Sequence, residues 1–158
     1  MAITLEERSV VARFHRVTVQ FSPEVLEVFD AHRQKGWFSR EAGGQLFAKI
    51  ERNVWRVVAA TGPRSMDRRG RFHFWPDRRS EQREIEEHFA TGLVYVGDWH
   101  THPEKVPTPS HDDILSIENV VRESTFYTSG LLLCIVGLAQ FPRGLYVSLH
   151  VKGLLTKP

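Results

Sequence analysis

The chain has 158 residues, enough for one domain with a real core over 1–158 and too few for two, and at 41% hydrophobic and 25% charged it is neither disordered nor fibrous. Lys and Arg number 21 against 19 Asp and Glu, and the resulting charge of +2 is too small to mark a nucleic-acid binder. Met1 to Val10 lacks the apolar run of a secretory signal, and the longest apolar run, Leu131 to Ala139, falls far short of the roughly 20 residues that span a bilayer, so a cytoplasmic protein without a membrane partner is expected.

In chain order, Val17 to Gln20 reads as a first short strand. Ser22-Pro23-Glu24 follows as an N-cap, a proline suited to the first helical turn and an early acid. Val25, Leu26, Phe29 and His32 then share one face of a helix that ends near Gly36. Glu41 to Ile50 and Val54 to Thr61 favour strands, with Glu51-Arg52-Asn53 as the turn of a hairpin. Gly62 to Gly70 is a polar, arginine-rich loop, after which Phe72, Phe74 and Trp75 predict a short strand with its aromatics in the core. Pro76-Asp77 opens a helix over Arg78 to Ala90, whose narrow apolar stripe of Ile85 and Phe89 places it at the surface. Leu93 to Trp99 is a strand leading into His100-Thr101-His102-Pro103. Pro103, Pro107 and Pro109 keep the next segment out of helix. Ser110 starts a helix carrying Ile114, Ile117, Val120 and Val121 that ends near Thr125 to Thr128. Leu131 to Ala139 is a buried strand, and Gly144 to Val151 pairs with it or nearby. The lone Cys134 is a buried thiol without a disulfide partner. The mixture predicts an α/β domain.

Residues two apart on an extended segment point the same way, so His100 and His102 can aim both imidazoles at one point. Asp113, in the first turn of the helix begun by Ser110, leans back towards that helix's N-terminus and can supply a third ligand. Two histidines, one carboxylate and an open fourth position form a pattern used for catalytic zinc. Ser110-His111-Asp112-Asp113 also reads as a plain capping box. Glu41 also reads as a strand-edge charge beside Arg40. Asp112, His111 and His73 are expected at the surface. Asp98 shares the strand parity of the histidines and is a candidate to orient one of them. The stretch from Arg64 to Arg79 is a solvated loop or a docking surface for an acidic partner.

His100-Thr101-His102, seven residues, Ser110, two residues and Asp113 resembles the JAMM motif of the JAB1/MPN/Mov34 metalloenzymes without departure. Glu41-Ala42-Gly43-Gly44-Gln45-Leu46-Phe47 looks like that family's upstream glutamate element. The resemblance covers roughly residues 15 to 150. Gly97-Asp98-Trp99-His100-Thr101-His102-Pro103 is most similar to bacterial JAB peptidases of antiphage operons. The resemblance implies a single JAMM/MPN, cytidine-deaminase-like domain, a curved mixed sheet flanked by helices. It implies Zn2+ held by His100, His102 and Asp113, Glu41 as general base and Ser110 as oxyanion donor. It implies hydrolysis at the C-terminus of a ubiquitin-like modifier, with that modifier or its conjugate and operon-encoded conjugation proteins as partners. Processing of a sulfur-carrier-like protein and a metal-free scaffold are the rival expectations.

Overall fold

The structure is a computed structural model and describes residues 1–153. In chain order its elements are strands β1 (Ala2–Glu6), β2 (Ser9–Arg13) and β3 (Thr18–Phe21), helix α1 (Pro23–Ala31), strands β4 (Gly43–Glu51), β5 (Val54–Ala60), β6 (Arg68–Arg69) and β7 (Phe74–Trp75), helix α2 (Arg78–Ala90), strand β8 (Val94–Thr101), helix α3 (His111–Glu123), and strands β9 (Leu131–Val136) and β10 (Leu145–His150). Eight strands make one mixed sheet in the order β1-β2-β3-β5-β4-β8-β9-β10, while β6 and β7 pair as a separate small hairpin. The β3–β5 and β8–β9 pairs are parallel and the others antiparallel. The expected α/β fold, a mixed sheet flanked by helices, is what the chain adopts.

The apolar run at β9 is explained by its position. It lies between β8 and β10 with both faces covered, so alternate residues enter two different cores. Leu132, Cys134 and Val136 join the larger core under α1, and Leu131, Leu133 and Ile135 join a smaller one under α3. Ser22 caps α1, which buries Val25, Leu26 and Phe29; the Phe29 ring packs 5.0 Å from that of Trp99 on β8. Helix α3 buries Ile117 and Val121 against β9.

Four details depart from the sequence reading. Val17 to Gln20 corresponds to the third strand, because β1 and β2 form a hairpin before it. Its turn places Glu7 and Arg8 at φ 42° and 71°, a conformation ordinarily announced by Asn-Gly and here carrying neither residue. Phe72 and Trp75 are 73% and 60% exposed rather than core residues, since the β6–β7 hairpin stands off the sheet. Helix α2 buries Glu81 and no apolar residue; Glu84 ties it to Arg64 of the preceding loop, and within the helix Arg78 pairs with Glu81 at 2.9 Å.

Candidate metal centre

The end of β8 and the start of α3 meet at one edge of the sheet. His100 and His102 leave β8 and the residues just after it two positions apart, and their Nε2 atoms lie 3.2 Å from each other. Asp113 faces them with both oxygens, Oδ1 at 3.2 Å from His100 Nε2 and Oδ2 at 3.3 Å from His102 Nε2. Among the described residues these three form the one group of histidine, cysteine or carboxylate donors close enough to share a metal ion. Burial pushes the Asp113 carboxyl up, but hydrogen bonds from His100 and His102 outweigh that and hold it well below the usual carboxylate range. Burial lowers His102, while Asp113 and Glu41 raise it further, for a net upward shift. Two imidazoles and one carboxylate thus converge on one point.

The capping box read from the sequence is present as well. The Ser110 hydroxyl accepts from the Asp113 backbone N–H at 3.1 Å, and the Ser110 N–H donates to Asp113 Oδ2 at 2.7 Å. The two readings of Ser110 are compatible, because accepting uses a lone pair and leaves the hydroxyl proton free to donate.

Glu41 sits just before β4, a residue only 5% exposed. Its N–H donates to Gly70 O at 2.6 Å, its carbonyl accepts from Arg69 Nε at 2.6 Å, and Thr101 N–H donates to Ala42 O at 2.8 Å. Gln34 locks this corner: its amide oxygen accepts from the Thr101 hydroxyl, and its amide nitrogen donates to Ser39 and Arg71 carbonyls. Burial lifts the Glu41 carboxyl to about 7, with His102 opposing and Asp113 assisting. Gly43 and Gly44 serve backbone packing here. A Cβ on Gly43 would come within 2.7 Å of the Phe74 ring and Trp99 O, and one on Gly44 would run into the Thr61 carbonyl.

Glu41, His100, His102, Ser110 and Asp113 all line one cleft of about 480 Å³, roofed by Phe72 to Pro76 and flanked by α2 and α3. Asp112 also lines it, though exposed, while His111 is exposed and outside it. Asp98 lines the cleft but does not orient a histidine; its Oδ1 accepts from Tyr95 Oη at 3.0 Å. Burial, then Glu81, lifts its carboxyl to about 7.

The arginine loop is not one solvated face. Arg64 is half-buried against Glu84 and Asp67, Arg69 holds the Glu41 carbonyl, and Arg71 donates to Trp37 O and stacks over the Trp37 and Phe72 rings. Sequence reasoning missed Gln34, Thr101 and Arg69, since nothing local distinguishes a residue that acts through a backbone carbonyl distant in the chain.

Comparison with known proteins decides the family. A family described as prokaryotic homologs of the JAB domain matches residues 22–145. The chain belongs to the prokaryotic JAB-domain family. An Escherichia coli protein named CD-NTase/cGAS isopeptidase is 28% identical to this JAB-domain chain over 138 residues, 85% of each chain. A Pseudomonas aeruginosa protein of the same name is 32% identical over 106 residues, 61% of this chain and 63% of that one. A Sinorhizobium fredii protein named as a probable metalloprotease is 35% identical over 91 residues, 54% and 56% of the two chains. Among solved structures, a protein from Desulfitobacterium hafniense superposes with a TM-score of 0.58 at 21% identity, covering 83% and 82%, and shares the JAB-domain fold. No helix among the described residues is long and apolar enough to cross a membrane.

Proposed function

We propose that this chain is a zinc-dependent isopeptidase that hydrolyses the bond at the C-terminus of a ubiquitin-like modifier and so removes it from a target protein. Donor spacing carries the reading. Ligands about 2.0–2.1 Å from a tetrahedral ion lie roughly 3.3 Å from one another; the two imidazole Nε2 atoms are 3.2 Å apart, Asp113 turns Oδ1 to one at 3.2 Å and Oδ2 to the other at 3.3 Å, and one donor atom from each residue lies within 4.8 Å of the others. Two imidazoles and one carboxylate suit zinc and leave a position for water and substrate.

A zinc ion held by His100, His102 and Asp113 would acidify water to a pKa of about 7 and polarise a carbonyl. Glu41, buried and within reach of the charges of His102 and Asp113, takes the proton from the attacking water and hands it to the leaving amine. Its backbone, held by Gly70 and Arg69, and that of Ala42 next to it, held by Thr101, keep the carboxylate in place. Ser110 keeps its acceptor role towards α3 and turns its proton to the oxyanion of the tetrahedral intermediate. Phe74 and Trp75 of β7 line one side of the cleft.

The names of the curated relatives support a CD-NTase or cGAS-type protein as the target from which the modifier is cut, with operon-encoded conjugation proteins as partners in antiphage defence. The test is cleavage of a ubiquitin-like modifier joined through an isopeptide bond to such a target. The zinc-loaded protein should release free modifier, lose this activity on chelation and regain it with zinc. Failure of the zinc-loaded protein to cut any such conjugate overturns the reading.

A further inference from the structure

The cleft does not stop at the metal centre. Arg78, Glu81 and Ser116 line both it and a neighbouring groove of about 470 Å³ between α2 and α3, so the two spaces adjoin. Where they adjoin lies a polar construction that metal chemistry does not require. Strand β8 pairs Gly97 with Leu46 and Tyr95 with Phe47, which leaves Val96 as an extra residue in a β-bulge. Strict alternation would put Val96 on the face of Asp98 and His100; the bulge turns Val96 into the opposite core and brings Tyr95 round to the cleft side. Gly97 makes this possible at φ 144°, and a Cβ there would collide with Leu132 O. The product is the Tyr95–Asp98 hydrogen bond at the base of the cleft.

Tyr95 is the hydrogen-bond donor that Asp98 has among the described residues, and it uses Oδ1; Oδ2 accepts from no group there, although a carboxylate has about four acceptor sites. The surrounding charge favours a cation. Beyond Asp113 and Glu41, the cleft is lined by four carboxylates, Glu81, Asp98, Glu104 and Asp112, against one guanidinium, Arg78, which is itself paired with Glu81. Asp98 lies two residues before His100 on the same face of an extended strand, about 6–7 Å along it, the repeat at which alternate side chains of a bound extended peptide fall.

We infer that Asp98, presented by the Gly97 bulge and fixed by Tyr95, binds a cationic side chain of the substrate within three residues of the scissile bond. The inference rests on reading this cleft as the substrate site, and it names a residue that selects sequence beside the bond. Arginine suits it best, because its planar fork can use the free carboxylate oxygen and still reach a neighbouring acceptor.

The test is binding of two blocked tripeptides, acetyl-Gly-Arg-Gly-amide and acetyl-Gly-Gln-Gly-amide, to the zinc-loaded, 15N-labelled protein, followed by NMR. The arginine peptide should shift the backbone amides of Tyr95, Asp98 and Ser116 and bind at least about fivefold more tightly than the glutamine peptide. In Asp98→Asn, which keeps an acceptor for Tyr95, the two peptides should bind alike. Equal binding of both peptides to the parent overturns the inference, as does an arginine preference that survives Asp98→Asn or shifts only amides elsewhere. The parent's own discrimination decides the matter if the variant does not fold. Turnover plays no part in this readout, so a protein that cuts no conjugate but prefers the arginine peptide sinks the isopeptidase reading alone.

Discussion

Asp113 Oδ2 accepts the Ser110 backbone N–H at 2.7 Å while lying 3.3 Å from His102 Nε2, so the bond that starts α3 also aims an oxygen of the candidate metal centre. Removing the Ser110 side chain therefore tests two functions at once, and their magnitudes separate them. Loss of an N-cap costs about 1 kcal/mol, which leaves a domain of ordinary stability almost wholly folded. Loss of an oxyanion donor lowers kcat by roughly 10²–10³. Ser110→Ala should thus melt a few degrees lower and lose far more activity than its folded fraction explains, and Ser110→Thr should restore most of both. If kcat for Ser110→Ala stays within about twofold of the parent, the serine is only a cap.

Glu41→Gln should keep the fold and the bound zinc and still turn over roughly 10²–10⁴ more slowly, the usual contribution of a general base. Full activity in that variant would remove Glu41 from the chemistry.

The same residue sets a pH dependence in the metal-free protein. Its carboxyl is raised from 4.5 to about 7 by burial, so between those values the folded chain retains a proton that the unfolded chain has released. The stabilisation from this group is complete below its unfolded value and is lost as pH rises through about 7. Melting temperatures of the metal-free parent should therefore fall between pH values of about 5 and about 7.5 more steeply than those of Glu41→Gln. Parallel curves for the two proteins would contradict the buried, protonated carboxyl.

The arginines divide by contact. Arg69 holds the Glu41 carbonyl at 2.6 Å, whereas Arg68 is exposed. Arg69→Ala should lower kcat by about tenfold, since small misplacement of a catalytic group has effects of this size or more, with zinc content unchanged and partial rescue by Arg69→Lys. Arg68→Glu should leave kcat unchanged and act, if at all, on KM in a salt-dependent way. Equal effects of the two changes would show that position on the loop, and not the Glu41 contact, matters.

Glycine positions provide a stability test. Gly97→Ala places a Cβ against Leu132 O at a backbone φ of 144°, combining overpacking and strain. Each contributes about 1–3 kcal/mol, so this variant should be strongly destabilised, while Gly92→Ala, at φ 85° but facing open space, should suffer from strain alone.

Much of this was legible in the residues. The doubly buried β9 announced itself by six consecutive apolar residues, and α1 and α3 by their caps and apolar spacing, because these signals are local. His100, His102, Asp113, Ser110 and Glu41 were placed as one site by motif spacing, and the folded chain brings them to one cleft. What escaped was non-local or contrary to type. The Glu7-Arg8 turn lacks the residues that usually mark a hairpin. Helix α2 is tied to the preceding loop by the Glu84–Arg64 pair, and a charged contact face has the sequence pattern of a solvated one. Strand parity makes Asp98 a candidate partner for a histidine, or a structural residue, and the bulge at Val96 gives it Tyr95. Gln34 and Arg69 act on backbone groups far away in sequence, which no local pattern encodes.

The most direct test of the central claim is metal analysis of purified protein by mass spectrometry, on the parent, His102→Ala and Asp113→Asn in parallel. Two imidazole nitrogens 3.2 Å apart, with a carboxylate oxygen within 3.3 Å of each, predict about one zinc per chain in the parent and loss of most of it in both variants, each of which deletes or neutralises one ligand. Zinc content that is negligible in the parent, or unchanged in both variants, would contradict the account.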